Sequence, residues 1–323
     1  MKRNSMESMP CQGIQVSEAK VGVRTNSPSL LDPAKFFWMD TNFLSITRIP
    51  CEEGMDSFFE IKDGDFPPSF HLKEKTLKVS GPFSSWEEGA KDKRYSIFGN
   101  LGLFSSWVLR TLEQSHDIGT FHACGLTKGE KLLIIPGGAG AGKSVFIFKA
   151  LDQGWKLLAT EFVHFQVKGD VFVLKGAFKD AVRVETLRFH FPEWTQKLNL
   201  PMEEEVGGKL VVNLSGYQDE RERIENPEIV LVFPHVEEEW ERFWMEELKS
   251  QEELLRRLFH NASEKVGKSQ ILYGRMPVPG LDTSFLAQKR WNRLQRLYES
   301  GRLSQSFQST TGIQDIPRIF HKL

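Results

Sequence analysis

The chain has 323 residues, 40% hydrophobic and 26% charged, which is enough for one large globular domain or two moderate ones. Its 42 Lys and Arg nearly balance 43 Asp and Glu, giving a formal net charge of -1. This balance argues against a protein that is held on nucleic acid or on an anionic membrane by bulk charge.

The cysteines and the apolar runs also limit the class of protein. The three cysteines, Cys11, Cys51 and Cys124, have no paired spacing, which argues against a disulfide scaffold or a cysteine-type zinc site. A reducing, cytoplasmic location is the simplest interpretation. The sequence contains no apolar run long enough to span a membrane, and its N-terminus lacks the apolar core of a secretory signal.

The first part of the chain is predicted to be a flexible leader and a small β-rich segment. Residues 1–30 are polar and rich in Ser, Gly and Lys, as flexible leaders are. Residues 31–94 contain short β-prone runs at 57–62, 69–73 and 76–80, separated by Gly, Pro and Asp turn signals. No chemical motif is recognisable in this segment.

The pattern changes near residue 95, where a core domain over residues 95–270 is predicted to begin. Apolar residues recur at helical spacing between 101 and 113, and a strand-like stretch follows at 119–125. The next elements are predicted to be a strand at 132–135, a glycine-rich loop, a helix at 143–153 and a strand at 156–159. This order predicts a parallel, right-handed strand–loop–helix–strand unit and an α/β fold.

The remainder is predicted to continue the core and to end in a tail. Strands are expected at 171–174 and 229–233, and an amphipathic helix at 250–262. The acidic run at 237–241 is interpreted as exposed charge, because no His gives it metal-ligand spacing. Residues 271–323 are predicted to be a basic helical tail, with a solvated helix as the default interpretation and docking on a partner as the alternative.

The glycine-rich loop satisfies the pattern G-x-x-x-x-G-K-[ST] in full. Its residues are Gly137, Gly138, Ala139, Gly140, Ala141, Gly142, Lys143 and Ser144. Glycines let backbone N–H groups approach phosphate oxygens, and the following helix directs its positive end at the same anion. Lys143 is suited to pair with the β- and γ-phosphates and Ser144 to hold Mg²⁺. The loop therefore predicts binding of a nucleotide phosphate together with Mg²⁺.

Three further side chains near the loop have a functional and a plain interpretation. Glu161 ends the strand after the loop's helix, where a carboxylate can hold Mg²⁺ or accept a proton from a hydroxyl; the alternative is a solvated acid. His122 is either a site residue or a packed histidine. His164 alternates with apolar neighbours along a strand and is interpreted as a surface or edge residue.

A family resemblance rests on these residues. It is carried by His122-Ala123, the loop at 137–144, Gly154 at the end of the loop's helix and the segment at 157–161. Together they resemble the catalytic core of HPr kinase/phosphorylase and its HPr-kinase-like relatives, which is similar to the nucleotide-binding part of phosphoenolpyruvate carboxykinase. The resemblance extends over residues 95–265. It implies an α/β fold with a mixed sheet, preceded here by the β-rich segment and followed by the tail.

The resemblance also implies roles for single residues. His122 matches the histidine near the transferred phosphate, and Glu161 matches the second member of the family's acidic pair. Thr160 stands where the family has the first acid, and Gly138-Ala139 stands where HPr kinases usually carry Asp-Ser. The family is typically oligomeric, which implies a homo-oligomer.

The expected function is transfer of the γ-phosphate of ATP to a hydroxyl of a protein serine or a small metabolite. In this interpretation Glu161, His122 and Lys143 are catalytic, and Ser144 with Glu161 holds the metal ion. No nucleic-acid or membrane partner is expected. The alternative is a catalytically weakened ATP- or ADP-binding regulatory or assembly protein, which Thr160 favours because one carboxylate is missing.

Overall fold

The computed structural model describes residues 9–51, 54–200, 208–237 and 242–323. Residues 1–8 of the predicted leader and 238–241 of the acidic run lie outside the described residues. The chain divides into two compact units: the chain up to Asp117 with Val266–Asp282, and Ile118–Lys265 with Thr283–Leu323. Among the described residues, no helix is long and apolar enough to cross a membrane.

The first unit contains one mixed sheet. Its strands are β1 (Cys11–Val16), β2 (Ala19–Thr25), β3 (Ile46–Ile49), β4 (Ser57–Asp63), β5 (Ser69–Lys73) and β6 (Thr76–Gly81). The order is β3-β1-β2-β4-β6-β5, with β2, β4 and β6 parallel and the other pairs antiparallel. The three predicted strands at 57–62, 69–73 and 76–80 are confirmed as β4, β5 and β6.

The structure corrects the prediction of a flexible leader. Strands β1 and β2 lie within residues 1–30, and a tight turn with Ser17 at a φ of 51° joins them. Ile14, Val21 and Val23 are buried. Because a strand alternates between a core face and a solvent face, the average composition of the segment conceals the buried face.

A disulfide bond joins Cys11 to Cys51. Strands β1 and β3 are antiparallel with Gly13 opposite Ile49, and the same register brings residues 11 and 51 opposite each other. The sequence argued against a disulfide scaffold and did not reveal this single bond, because spacing along the chain does not show strand register. The inference of a reducing location rested on that prediction and loses its basis. Cys124 is a free, buried thiol.

Two helices complete this part of the first unit, α1 (Phe83–Gly89) and α2 (Leu103–His116). Helix α2 confirms the helix predicted between 101 and 113. It packs on β2 and β4, and Trp107 in its middle is fully buried. The units divide at Asp117, not near residue 95, because this almost wholly buried helix belongs to the core of the first unit.

The second unit contains most of the remaining elements. They are β7 (Gly119–Lys128), β8 (Lys131–Pro136), α3 (Lys143–Asp152), β9 (Lys156–Ala159), β10 (Phe162–Lys168), β11 (Asp170–Leu174), β12 (Lys179–Arg183), α4 (Val184–His190), α5 (Pro192–Lys197), β13 (Lys209–Asn213), β14 (Arg223–Glu225), β15 (Glu228–Glu237), β16 (Trp244–Glu247) and α6 (Gln251–Gly267). A short hairpin of the first unit follows, β17 (Gln270–Leu272) and β18 (Met276–Val278). The chain ends in the second unit with α7 (Ser284–Glu299), β19 (Leu303–Gly312) and α8 (Ile316–Lys322).

Nine strands of the second unit form a mixed sheet of the order β14-β11-β10-β7-β8-β15-β19-β16, with β9 also paired to β7. Strands β8, β15 and β19 are parallel neighbours. Strands β8 and β9 run in the same direction, but each pairs antiparallel with β7 and they are not neighbours. The fold is therefore mixed α/β, as predicted, with a sheet that is only partly parallel.

Helices cover both faces of this sheet. On one face α3 and α8 pack together, with the rings of Phe146 and Phe320 6.1 Å apart. On the other face Leu258 of α6 and Leu294 of α7 belong to one buried cluster. Apolar residues on both sides of the central strands account for their continuously hydrophobic sequences.

The structure also corrects the prediction of a helical tail at 271–323. Helix α7 confirms the helical part, and Arg293 within it is fully buried. Strand β19, however, lies inside the sheet between β15 and β16. Its sequence is rich in Ser, Thr and Gln and therefore lacks the apolar pattern that predicts a buried strand. The strand forms through backbone hydrogen bonds to β15 and β16, which do not require apolar side chains.

Candidate functional site

The glycine-rich loop connects β8 to α3, so the predicted strand before it and helix after it are confirmed. Gly140 and Gly142 both have a φ of 86°, in the left-handed region that favours glycine. A Cβ on Gly142 would lie 2.6 Å from Val236 Cγ2. The backbone of this loop therefore needs its glycines for conformation and for space.

Lys143 is buried under the loop that precedes it. Its Nζ donates hydrogen bonds to the carbonyl oxygens of Gly137 at 2.8 Å and Gly138 at 3.3 Å. The same Nζ lies 3.0 Å from His122 Nε2 and 3.5 Å from Glu161 Oε2. The three residues predicted to be catalytic are thus brought into contact.

His122, on β7, lies between two carboxylates and is 2% exposed. Its Nε2 is 2.7 Å from Glu161 Oε1, and its Nδ1 is 2.8 Å from Glu264 Oε2. Asn261 Nδ2 donates a hydrogen bond to the His122 carbonyl oxygen at 2.8 Å. These contacts hold the imidazole ring from both edges.

The charges around His122 keep both carboxylates ionised. Burial alone would raise the pKa of Glu161, but Lys143, His122 and Lys265 together hold that pKa well below its usual value. The hydrogen bond with His122 likewise lowers the pKa of Glu264. An ionised carboxylate only accepts hydrogen bonds, so Glu161 and Glu264 are the acceptors in their contacts with the His122 ring. Nδ1 faces Glu264, and Nε2 faces Glu161 and Lys143.

A third carboxylate lies beside the start of α3. The Ser144 side chain hydrogen-bonds to Asp180, on β12, which is 7% exposed. Burial raises the pKa of Asp180 to about 6, and the hydrogen bond with Ser144 opposes that rise. Ser144 and Glu161 were predicted to hold the metal ion as a pair. The structure instead gives Ser144 the Asp180 partner and gives Glu161 the partners His122 and Lys143.

Thr160 lies just after the end of β9, directly before Glu161, and is buried. Its hydroxyl donates hydrogen bonds to the carbonyl oxygens of Ala177 at 3.2 Å and Lys179 at 2.9 Å. Thr160 and Glu161 form the bend between β9 and β10, and these neighbouring side chains have different surroundings. Thr160 therefore acts in the packing of this strand against the 177–179 segment.

Sequence analysis missed Asp180, Glu264 and Lys265. Lys265 Nζ lies 3.7 Å from Glu161 Oε1, and a Cβ on Gly138 would lie 3.5 Å from Glu264 Oε1. The helix predicted at 250–262 ended before these residues, whereas α6 continues to Gly267. No local motif marks them, because their role depends on α6 and β12 lying next to the loop.

His164 and Cys124 are also buried, and the Cys124 Sγ lies 3.9 Å from the backbone oxygen of Lys143. His164 is 2% exposed, and its Nδ1 lies 2.8 Å from Thr120 Oγ1, so its interpretation as a surface residue is wrong. Burial lowers the pKa of His164 to about 4. Burial also raises the pKa of the Cys124 thiol, which agrees with a packing role.

The loop pattern implies a magnesium ion that would bind together with a nucleotide. Within the described part of the chain, no group of three or more His, Cys, Asp or Glu side chains is arranged to hold a metal ion. Mg²⁺ that binds with a nucleotide needs only one or two carboxylates, because phosphates and water complete its coordination. Ser144 and Asp180 meet that requirement.

Comparisons with known proteins give no family assignment. No protein-family model matches the chain, and no curated protein matches it.

Proposed function

We propose that the protein is an ATP-dependent kinase that transfers the γ-phosphate to a hydroxyl, as the resemblance to HPr-kinase-like proteins suggests. The observation that carries the proposal is the contact of Lys143, at the end of the glycine-rich loop, with both His122 and Glu161. One cluster then contains a cation that can bind phosphate, Lys143, and two side chains that can accept or donate a proton, His122 and Glu161.

The proposed chemistry assigns each group a task. Lys143 and the loop amides neutralise the transferring phosphoryl group, and Mg²⁺ would supply further positive charge when bound with the nucleotide. As the acceptor oxygen bonds to the γ-phosphorus, the bond from that phosphorus to the β-phosphate oxygen breaks and ADP leaves. The hydroxyl proton passes to the cluster of His122 and Glu161, and the contacts of Glu161 also orient His122 and Lys143.

Lys143 has to exchange partners when a nucleotide binds. Its ammonium group is held by two loop carbonyl oxygens and by Glu161. A β- or γ-phosphate offers charged acceptors in place of the neutral carbonyls. We therefore expect binding to draw Nζ away from Gly137 and Gly138, while Glu161 keeps its partners His122 and Lys265.

A specific observation favours a second candidate, a nucleotide-binding regulatory or assembly protein. At the place of the family's first acid, the hydroxyl of Thr160 is bonded to backbone carbonyls of a neighbouring segment. A chain that lacks this acid can retain nucleotide binding and lose transfer. Single-turnover transfer from γ-labelled ATP, offered hydroxylated metabolites and cell-lysate protein, separates the candidates: tight binding with no labelled product supports the second.

Lys143→Ala tests the nucleotide site itself. We expect ATP affinity in the presence of Mg²⁺ to fall roughly tenfold to a hundredfold, the range for losing a hydrogen bond to a charged group, and label transfer to stop. Lys149→Ala is the matched control, because Lys149 lies on the same helix and contacts the Phe191 ring instead. Calorimetric titration with ATP measures both variants. Full binding and transfer by Lys143→Ala would rule out the proposed kinase.

A further inference from the structure

Asp180 lies beside the glycine-rich loop, and none of the tasks above uses it. Its carboxylate hydrogen-bonds to the Ser144 side chain, and the residue is 7% exposed. Among the described residues, its Oδ2 atom has no hydrogen-bond partner. Buried carboxylate oxygens are ordinarily satisfied, so this free acceptor next to the loop indicates a ligand that binds there.

We propose that Asp180 and Ser144 hold the divalent cation that accompanies the nucleotide, an inference that rests on the proposed function. Nucleotide sites of this loop type bind Mg²⁺ through the loop's Ser or Thr and an acid from a neighbouring strand. The hydrogen bond already places the Asp180 carboxylate beside the Ser144 hydroxyl. Asp180 thereby supplies a negative charge that is missing at Thr160, the position of the first acid in the HPr-kinase-like pattern.

The contacts of Glu161 support this division of roles. Its two oxygens already face His122 at 2.7 Å, Lys143 at 3.5 Å and Lys265 at 3.7 Å. Lys143 and Lys209 also act on the charge of Asp180, but its Oδ2 has no hydrogen-bond partner among the described residues and is therefore more available to a cation than the engaged oxygens of Glu161. Glu161 is therefore a positioning residue for His122 and Lys143, and Asp180 is the cation ligand.

Binding of ADP, measured by calorimetry with EDTA or with Mn²⁺, tests the assignment without any need for turnover. Wild type is expected to bind ADP without metal and more tightly with Mn²⁺. Asp180→Asn should bind ADP without metal as tightly as wild type. Its gain in ADP affinity on adding Mn²⁺ should be at least about tenfold smaller. Glu161→Gln should keep that gain. Asp152→Asn, the same change at an exposed position at the end of α3, is the control and should behave as wild type.

The outcomes separate this proposal from the proposed function. A full Mn²⁺-dependent gain in Asp180→Asn overturns the cation assignment and leaves the nucleotide site intact. A wild-type protein that binds no ADP under either condition overturns the proposed function. Electron paramagnetic resonance of Mn²⁺ with ADP gives a second readout, and the spectrum of bound Mn²⁺ should change in Asp180→Asn but not in Asp152→Asn.

Asp180→Cys covers the case in which Asp180→Asn does not fold, because cysteine is small and tolerates burial. A thiolate prefers soft cations to Mg²⁺ or Mn²⁺. We expect Cd²⁺ to restore ADP affinity to this variant. The gain in ADP affinity with Cd²⁺ divided by the gain with Mn²⁺ should be at least about tenfold larger than in wild type. An unchanged ratio would show that residue 180 does not touch the cation.

Discussion

At the scale of single residues, burial and charge separate the histidines of this protein into different roles. His122 is buried with two ionised carboxylates and a lysine around its ring, so each of its ring nitrogens faces a charged group. His164 is equally buried but has a threonine hydroxyl at Nδ1, and burial disfavours its charged form. In the proposed function the first environment serves proton transfer, whereas the second keeps a neutral ring in the core.

His164 should make the protein less stable in acid. Its pKa falls from 6.5 to about 4 on folding. Below pH 6.5 the unfolded chain therefore binds a proton at this histidine more strongly than the folded chain does. Stability is therefore complete above pH 6.5 and decreases as the pH falls toward 4. Between pH 7.5 and 5, wild type should lose about 2 kcal/mol more than His164→Gln.

Urea unfolding at the two pH values measures this difference. His235→Gln is the control, because the His235 side chain is 67% exposed. Titration of Asp180 is common to both proteins and cancels in the comparison. Equal pH dependence in wild type and His164→Gln would contradict the assignment of a suppressed His164 pKa.

At the scale of elements, the candidate site is made by several elements that are distant in the chain. The loop lies between β8 and α3, His122 comes from the middle of β7 and Glu161 follows the end of β9. The C-terminal part of α6 adds Glu264. These elements pack closely around the loop. Val236 of β15, for example, occupies the place where a side chain on Gly142 would lie.

Gly142→Ala should therefore lower the free energy of unfolding by more than backbone strain alone would. Gly154→Ala is the matched control, since Gly154 has a φ of 76° but a Cβ on it would have no neighbouring atom within 4 Å. Both variants carry about 1 kcal/mol of left-handed strain, and Gly142→Ala should lose about 1–3 kcal/mol more from overpacking against Val236. Urea unfolding measures both, and Val236→Ala combined with Gly142→Ala should recover the extra loss.

At the scale of the whole molecule, the chain visits its two compact units in an interleaved order. It completes most of the first unit, enters the second at Ile118, returns over Val266–Asp282 and ends in the second. Strand β19 is an interior strand of the large sheet, so the last residues complete the second unit. Long-range pairing of this kind, such as β15 with β19, raises the entropic cost of folding.

The disulfide should stabilise the first unit. Cys11 and Cys51 are 40 residues apart, and closing a loop of that length in the unfolded chain is worth about 4 kcal/mol in the chain-entropy model. Reduction, or replacement of both residues by Ser, should lower the midpoint of chemical unfolding. Cys124→Ser, which leaves the disulfide in place, should remain sensitive to reduction.

A thiol count under denaturing, non-reducing conditions checks the bond directly. The structure predicts one reactive thiol, Cys124, in the unreduced protein and three after reduction. Three reactive thiols before reduction would contradict the disulfide.

Much of the glycine-rich loop and its surroundings could be predicted from the sequence. The strand, the glycines, Lys143 and Ser144 follow one another within a few residues, so local conformational rules suffice to predict their arrangement. His122 and Glu161 were also predicted, from their distances to the loop along the chain, and the structure brings both to Lys143. The α/β class followed from the alternation of apolar strands and amphipathic helices.

Only the tertiary structure decided which residues meet between distant segments. Asp180 reaches Ser144, Glu264 reaches His122 and Cys11 reaches Cys51 because of strand register and helix packing. The same applies to β19, whose polar residues become an interior strand through pairing with β15. Sequence alone determined the chemistry of the loop, because neighbouring residues carry it. The structure determined its ionic partners, because register and packing join residues that chain spacing does not relate.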